Sequence, residues 1–284
     1  MKLRRYTTPQ DFYDAAEAFL LRHEAVNNLI IGLTHILFED MYRYGDEPPY
    51  FGTVENDNGN MVAAAICTPP YNFLLSHIED KAAINILAEN AYIEFGEVNG
   101  VSGPDEHAEI FCKRWTELTE HPHHLGRRQR IYELTEVIPV ENVAGHQRWV
   151  AAEDHDTVLE WFKAFSEEIL ENTTDERLAS SVEQRIKHQS LMMWGVDGET
   201  VSMAGYTGPT PNGIRINAVY TPPEHRRKGY ASAVVAALSQ HLLDNGHKFC
   251  FLYTDLQNPT SNHIYQDIGY KPVVNSSLYL FDID

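Results

Sequence analysis

The stretch that most limits what this chain can become lies between residues 213 and 246. Gly213 to Thr221 is a β-rich run, and Pro222-Pro223 must end its ladder because proline has no N–H to donate. Beyond it, Val234, Val235, Leu238 and Leu242 fall on one helical face, and Asn245-Gly246 supplies a C-terminal stop. The turn Arg226-Arg227-Lys228-Gly229-Tyr230-Ala231 therefore joins a strand to a helix N-terminus. The first N–H groups of a helix lack internal partners and sit at the positive end of its dipole. Gly229 permits close approach, the small Ala231 does not block it, and three cations add charge. Such a turn suits a pyrophosphate. It is neither a Walker loop nor a GxGxxG dinucleotide turn. Taken alone, it is equally what an ordinary exposed loop looks like.

A second cluster follows. Phe249 to Asp255 is a buried-type strand, and Asn258-Pro259 is a strong helix start, the amide capping and the proline fitting the first turn. Ser261 and Tyr265 then share a helix face near that start. Taken singly, Asn258 reads as a cap and Tyr265 as core packing.

The rest of the chain reads as two similar halves. In the first, Ala15, Ala16, Phe19 and Leu20, then Leu29, Leu33, Ile36 and Leu37, recur at helical spacing. Tyr50–Val54 and Val62–Cys67 flank a polar turn as a hairpin. Helices are expected over Lys81–Ala91 and Glu106–Leu118, and strands over Phe95–Val101 and Ile131–Val140. His121 to Gly126 reads as a loop without metal-ligand spacing, and Arg127 to Arg130 as a solvated basic turn. The polar passage from Glu141 to His146 marks the boundary, giving domains 1–140 and 147–284. In the second half, a strand Arg148–Ala151 precedes helices Asp154–Glu171 and Asp175–His188. The hairpin Leu191–Val196 and Thr200–Tyr206, the stretch already described, and closing strand material Tyr270–Leu280 complete it. The shared order points to an internal duplication.

Composition narrows the partners. Lys and Arg number 22 against 41 Asp and Glu, a formal charge of −19. That balance argues against nucleic acid and anionic membrane, which both need clustered positive charge, and suits a cationic or amine-bearing partner. No apolar run reaches the ~18 residues of a membrane span, and the basic start MKLRRYTTPQDF has no apolar segment behind it. Cys67, Cys112 and Cys250 form neither a disulfide framework nor a zinc site, so a reducing, cytoplasmic location is expected.

Together the two clusters resemble the GNAT acetyltransferase superfamily. Arg226 to Ala231 matches its Arg/Gln-x-x-Gly-x-Gly/Ala motif for acyl-CoA. Asn258, Ser261, Tyr265, Gly269 and Tyr270 match its later Asn-x-x-Ala/Ser-x-x-x-Tyr-x-x-x-Gly-Phe/Tyr pattern, in wording similar to the glycine N-acyltransferase branch. The resemblance covers residues 147 to 284. The first half resembles a degenerate copy, since Thr68-Pro69-Pro70-Tyr71-Asn72-Phe73 stands where the motif would be; its expected role is to wall off the acceptor site.

The resemblance implies an α/β protein of two GNAT-like domains, each a twisted, splayed mixed sheet flanked by helices. It implies acetyl-CoA as co-substrate, held along Val219, Tyr220 and Thr221 and by Arg226, Arg227, Lys228, Gly229, Tyr230, Ala231 and Ser232. Asn258, Ser261 and Asn262 would add contacts, and Tyr265 would give a proton to the departing thiolate. The acceptor would be a small-molecule amine. Glu168 and Glu171 are candidate bases, and His225 is expected to face solvent or phosphate. A non-catalytic acyl-CoA binder and a transferase for a longer acyl chain are the rivals. A monomer or homodimer is expected.

Overall fold

The computed structural model describes residues 1–168 and 174–283, and at 259–261 the backbone alone. In chain order the elements are β1 (Lys2–Tyr6), α1 (Pro9–Leu20), α2 (Glu24–Glu39), β2 (Tyr50–Glu55), β3 (Met61–Cys67), β4 (Phe73–Leu75), α3 (Ala82–Phe95), β5 (Gly100–Pro104), α4 (Asp105–Thr119) and β6 (His123–Leu134). They continue with β7 (His146–Trp149), α5 (His155–Glu168), α6 (Asp175–Lys187), β8 (Leu191–Val196), β9 (Glu199–Thr207), β10 (Gly213–Tyr220), α7 (Tyr230–Asp244), β11 (Phe249–Asp255), α8 (Pro259–Ile268) and β12 (Lys271–Phe281). Among the described residues no helix is long and apolar enough to cross a membrane.

Contacts divide the chain into two compact units that do not follow its linear order. The first holds Met1–Tyr132, Tyr253–Asn258 and the chain from Pro272; the second holds Glu133–Leu252 and Pro259–Lys271.

In the first unit the strands lie in the order β1-β2-β3-β4-β5-β12-β6. β4 and β5 are parallel, Phe73 opposite Val101, and β12 lies antiparallel to β5, with Ser276 opposite Pro104 and Leu280 opposite Gly100. Strand periodicity explains why β3 is apolar throughout. Ala63, Ala65 and Cys67 join Tyr50, Val54 and Phe73 against Ile84 and Leu87 of α3 and Phe111 and Trp115 of α4. Ala64 and Ile66, with Phe51 and Leu74, point the other way onto Phe12, Ala16 and Leu20 of α1 and Ile30 and Ile31 of α2. A sheet covered on both faces needs apolar residues at every position. The helices begin where local chemistry starts them: the Thr8 hydroxyl accepts from the Asp11 N–H at 3.1 Å, and Pro9 opens the first turn of α1.

In the second unit the order is β11-β10-β9-β8-β7, antiparallel except for the parallel pair β10–β11. Val158, Trp161 and Phe162 of α5 and Val182 of α6 pack on Leu191, Met193, Met203, Ala218 and Tyr220. α7 packs against β8, β9 and β10 and buries Val234, Val235, Leu238 and Leu242. The entry to α5 is fixed by Arg148, whose two terminal nitrogens donate to the two Asp154 oxygens at 2.6 Å each. This holds the Asp154 carboxyl below its usual range, chiefly through the hydrogen bond from Arg148.

Several local expectations need correction. The strand expected over Phe95–Val101 is the end of α3 followed by β5 at Gly100–Pro104. The expected histidine loop and basic turn are mostly strand: β6 starts at His123 and stops at Leu134, so the strand expected over Ile131–Val140 is displaced. The charged residues misled because β6 places polar side chains in specific contacts, Arg128 Nε to Asp105 at 2.7 Å and Arg130 Nε to Asn275 at 2.8 Å. β1 and β4 were not anticipated at all. They are short, and tertiary pairing rather than their own pattern makes them strands.

One buried titratable group gives this unit a pH dependence. His107, near the start of α4, is 7% exposed, with its ring 5.8 Å from that of His77. Burial first, and the neighbouring His77 second, push its pKa from 6.5 down to about 4. The unfolded chain therefore takes up a proton that the folded unit refuses. Stability is fully present above pH 6.5 and falls as the pH drops from there toward about 4. Urea midpoints measured across that window should decline for the wild type and decline less for His107→Phe; equal declines would show that another group governs the loss.

Candidate functional site

β10 and β11 run side by side only at their beginnings. Gly213, Ile214 and Arg215 pair with Phe249, Cys250 and Phe251, and β10 then runs on to Tyr220 with no β11 partner. A parallel pair that parts while its strands continue leaves one edge of β10, from Ile216 onward, with backbone groups available to a ligand. On the other edge, the register against β9 breaks between Asn217, opposite Gly205, and Tyr220, opposite Met203. Ala218 takes φ +48° within this bulge. A non-glycine residue in that region is strained, and strain of this kind persists only where the surroundings enforce it. The parting and the bulge fall on the same few residues, and they include Val219 and Tyr220.

The strand exit is tied down and the turn after it is open. The Thr221 hydroxyl lies 2.8 Å from that of Ser202, and the Ser202 hydroxyl donates to the Tyr220 carbonyl at 3.1 Å. Arg226 donates from Nε to the Thr221 carbonyl at 2.8 Å and forms an ion pair with Glu168. Its head is turned back onto the strand exit. Arg227 has φ +64° and Gly229 φ +82°, a curled backbone of the sort that turns successive N–H groups to one side. Gly229 is the N-cap of α7, which has no side-chain cap. The first internal bond runs from the Ala233 N–H to the Gly229 carbonyl at 3.0 Å, so the N–H groups of Tyr230, Ala231 and Ser232 precede the helical ladder. These observations fit a pyrophosphate on the turn and an extended thiol arm along β10.

The remaining expected residues are placed unequally. Tyr265 lies in α8, 8% exposed, its ring 5.9 Å from that of Tyr270. Burial pushes its phenol up to about 12. Asn262 falls in the second unit with Tyr265, and Asn258 in the first. Glu171 and the Ser261 side chain lie outside the described residues. Of the two candidate bases, Glu168 is engaged with Arg226. His225 is 13% exposed in its side chain and approaches Glu199 at 3.4 Å, so of the two orientations expected, toward solvent or phosphate, the solvent-facing one does not hold.

Two arginines had drawn no attention in the sequence. Arg185 of α6 and Arg215 of β10 lie on the face of the sheet that α5 and α6 cover, beside Asn217 and the bulge. No spacing rule reveals them, because a helix and a strand bring them together.

Comparison with known proteins bears on the fold. The FR47-like protein family matches residues 195–278. No curated protein matches the chain by sequence. A GNAT-family acetyltransferase from Colwellia psychrerythraea superposes with a TM-score of 0.57 at 12% identity, covering 100% of both chains. A GCN5-related N-acetyltransferase from Sphaerobacter thermophilus gives 0.61 at 16% identity over 98% of this chain and 94% of that one. A tandem GNAT protein of the clavulanic acid biosynthesis pathway gives 0.52 at 10% identity over 99% and 98%. The fold is a tandem GNAT fold. Within it, the motif turn and the parted strands belong to the second copy. In the first copy, the segment between β4 and α3 runs from Ser76 to Lys81 and carries no such motif.

The bulge can be tested directly. Ala218→Val places a β-branched side chain at a left-handed position in a buried site, and should cost about 1–3 kcal/mol. Chemical denaturation checks this, and an unchanged midpoint would mean that the backbone there relaxes freely.

Proposed function

We propose that the second GNAT unit transfers the acetyl group of acetyl-CoA to a small amine. The observation that carries this reading is the parting of β10 from β11 after Arg215, in line with an uncapped helix N-terminus at Gly229. Acetyl-CoA would bring an activated thioester, and the residues divide the remaining work.

N–H groups of Arg227 through Ser232 hold the pyrophosphate, where the positive end of α7 and the charges of Arg227 and Lys228 meet its negative charge. Backbone groups of Val219, Tyr220 and Thr221 align the thiol arm. An N–H at the bulge, fixed by strained backbone, meets the charge that develops on the carbonyl oxygen without having to reorganise. Tyr265 gives its proton to the departing sulfur. Its raised pKa keeps the phenol protonated at neutral pH, which is the state a donor needs. Asn258 and Asn262 are assigned to the cofactor by their place in the motif. The acceptor must arrive as a free amine, having lost its proton to water; the N–C bond forms as the C–S bond breaks, the acylated nitrogen sheds its extra proton to water, and water restores the proton that Tyr265 gave to sulfur.

Calorimetric titration with acetyl-CoA, CoA and a longer acyl-CoA tests the binding half. The wild type should bind, and Gly229→Glu should not. A side chain there meets Val143 Cγ2 at 2.9 Å on a φ that favours glycine, and its carboxylate repels the pyrophosphate. A folded Gly229→Glu protein of unchanged affinity would move the cofactor elsewhere, and preference for the longer chain would replace acetyl by acyl transfer. Tyr265→Phe tests the chemistry. Turnover should fall about 10²-fold or more, the usual scale for a general acid, with acetyl-CoA affinity unchanged. Equal loss of both would remove Tyr265 as the acid.

A further inference from the structure

Each motif of the second unit contains a glycine with a left-handed backbone, Gly229 at φ +82° and Gly269 at φ +111°. The same piece of chain lies against both. It is the connection from β6 to β7, residues 135–145, which belongs to the second unit. A Cβ on Gly269 would stand 2.8 Å from the Glu136 carbonyl oxygen and 3.3 Å from Ile138 Cγ1. The Ile138 N–H donates to the Ile268 carbonyl, at the end of α8, at 2.7 Å. Further on, a Cβ on Gly229 would stand 2.9 Å from Val143 Cγ2. The Ala144 carbonyl then accepts from Trp194 Nε1 of β8 at 2.9 Å. The connection thus meets the end of α8, the start of α7 and a buried side chain of β8.

Local chemistry makes these seats rather than passing contacts. Pro139 follows Ile138 and keeps it extended, which fixes where its N–H points. The carbonyl it meets is among the last four of a helix, which have no partner within the helix. Asn142 takes φ +61°, a conformation that asparagine adopts more readily than most residues. Val143 after it is half-buried, while Glu141, Asn142 and Ala144 around it are exposed. An apolar side chain turned inward among exposed neighbours is held by what it covers, here the bare face of Gly229. A side chain at either glycine would lift the connection off its helix.

A connection seated on two helix ends carries displacement from one to the other, where a free loop would absorb it. Tyr265 lies less than one helical turn before Ile268. Gly229 is the cap of the helix whose first N–H groups are assigned to the pyrophosphate. We infer that residues 135–145 form a positioning strap for acetyl transfer, holding the cofactor turn and the helix of Tyr265 at one spacing through Gly229 and Gly269. The roles of the two ends rest on the acetyl-transfer reading; the mechanical coupling between them does not. Val143 acts through Gly229, and Ile138 acts through Ile268. Both are positioning residues, and neither touches a reacting atom. Spacing of this kind matters because a misplacement near ~1 Å can cost a reaction about 10²-fold.

Amide exchange of the ligand-free protein, read by mass spectrometry, tests the coupling. Val143→Ala empties one seat and should raise exchange at the other, over residues 136–140 and 266–270, by about 5–10-fold, the scale of losing partly buried carbons. Val143→Ile keeps the seat filled and should exchange as the wild type does. Thiol release with acetyl-CoA and a panel of primary amines tests the use made of it. At saturating acetyl-CoA, Val143→Ala and Ile138→Pro, which removes the N–H, should each lower turnover about tenfold. The double variant should fall no further, because one strap is released by freeing either end, whereas independent packing losses would multiply to about 100-fold. Gly269→Ala presses on the same seat as Ile138→Pro and replaces it if that variant does not fold. Coupled exchange in a protein that ignores acetyl-CoA would sustain the strap and end the transfer reading. Unchanged exchange around Ile138 in folded Val143→Ala, turnover untouched by both variants, or losses that multiply would overturn the inference.

Discussion

Backbone hydrogen bonding is obligatory in a sheet, so a place where it is broken off on both edges of one strand shapes everything near it. β10 is such a strand. Its partnership with β11 ends at Arg215, and its register with β9 slips after Asn217. What surrounds it compensates. Ser202 hydrogen-bonds the Tyr220 carbonyl and lies beside the Thr221 hydroxyl, Arg226 closes onto the Thr221 carbonyl, and Ala218 and Tyr220 are packed under α5 and α6. The result is a strand held rigidly by its side chains and its exit while its peptide groups stay available. That combination leaves fixed dipoles facing a ligand, which is what the proposed acetyl transfer asks of them.

The two units build the same architecture around different interiors. In the first, β4 has only the residues Phe73–Leu75, and its neighbours are covered on both faces by large apolar side chains. Its core includes Trp115, Phe111, Phe73 and Tyr50, with rings near one another at centroid distances from 5.0 to 5.8 Å. The second unit buries more flexible residues, Met193 and Met203 among them, beside the half-buried Arg185. Only the second unit carries the motif turn.

The elements of the second unit were legible in sequence because its signals are local. Asp197-Gly198 marks the hairpin, Pro222-Pro223 ends β10, and Gly229 announces a left-handed position at a helix start. The motif turn could be read for the same reason. What escaped were features made by tertiary contact. The strand β6 hides behind histidines and arginines whose partners are distant in sequence, and β4 is too brief to show a period. Arg185 and Arg215 look like ordinary surface cations until α6 is laid over β10. The bulge at Ala218 has no glycine to betray it, so the most consequential irregularity of the cleft lies within an unremarkable stretch of β sequence.

The route of the chain has a consequence for how the protein is made. β12, the last of these strands in chain order, pairs with β5 of the first unit. During vectorial synthesis the N-terminal half must wait, with the edge of β5 open, while the whole second half emerges. An unpaired strand edge is a template for the wrong partner, another nascent chain included. The second half is thus translated as a long interruption inside the folding of the first, and a lesion in β12 would show itself in the half of this sequence furthest from it.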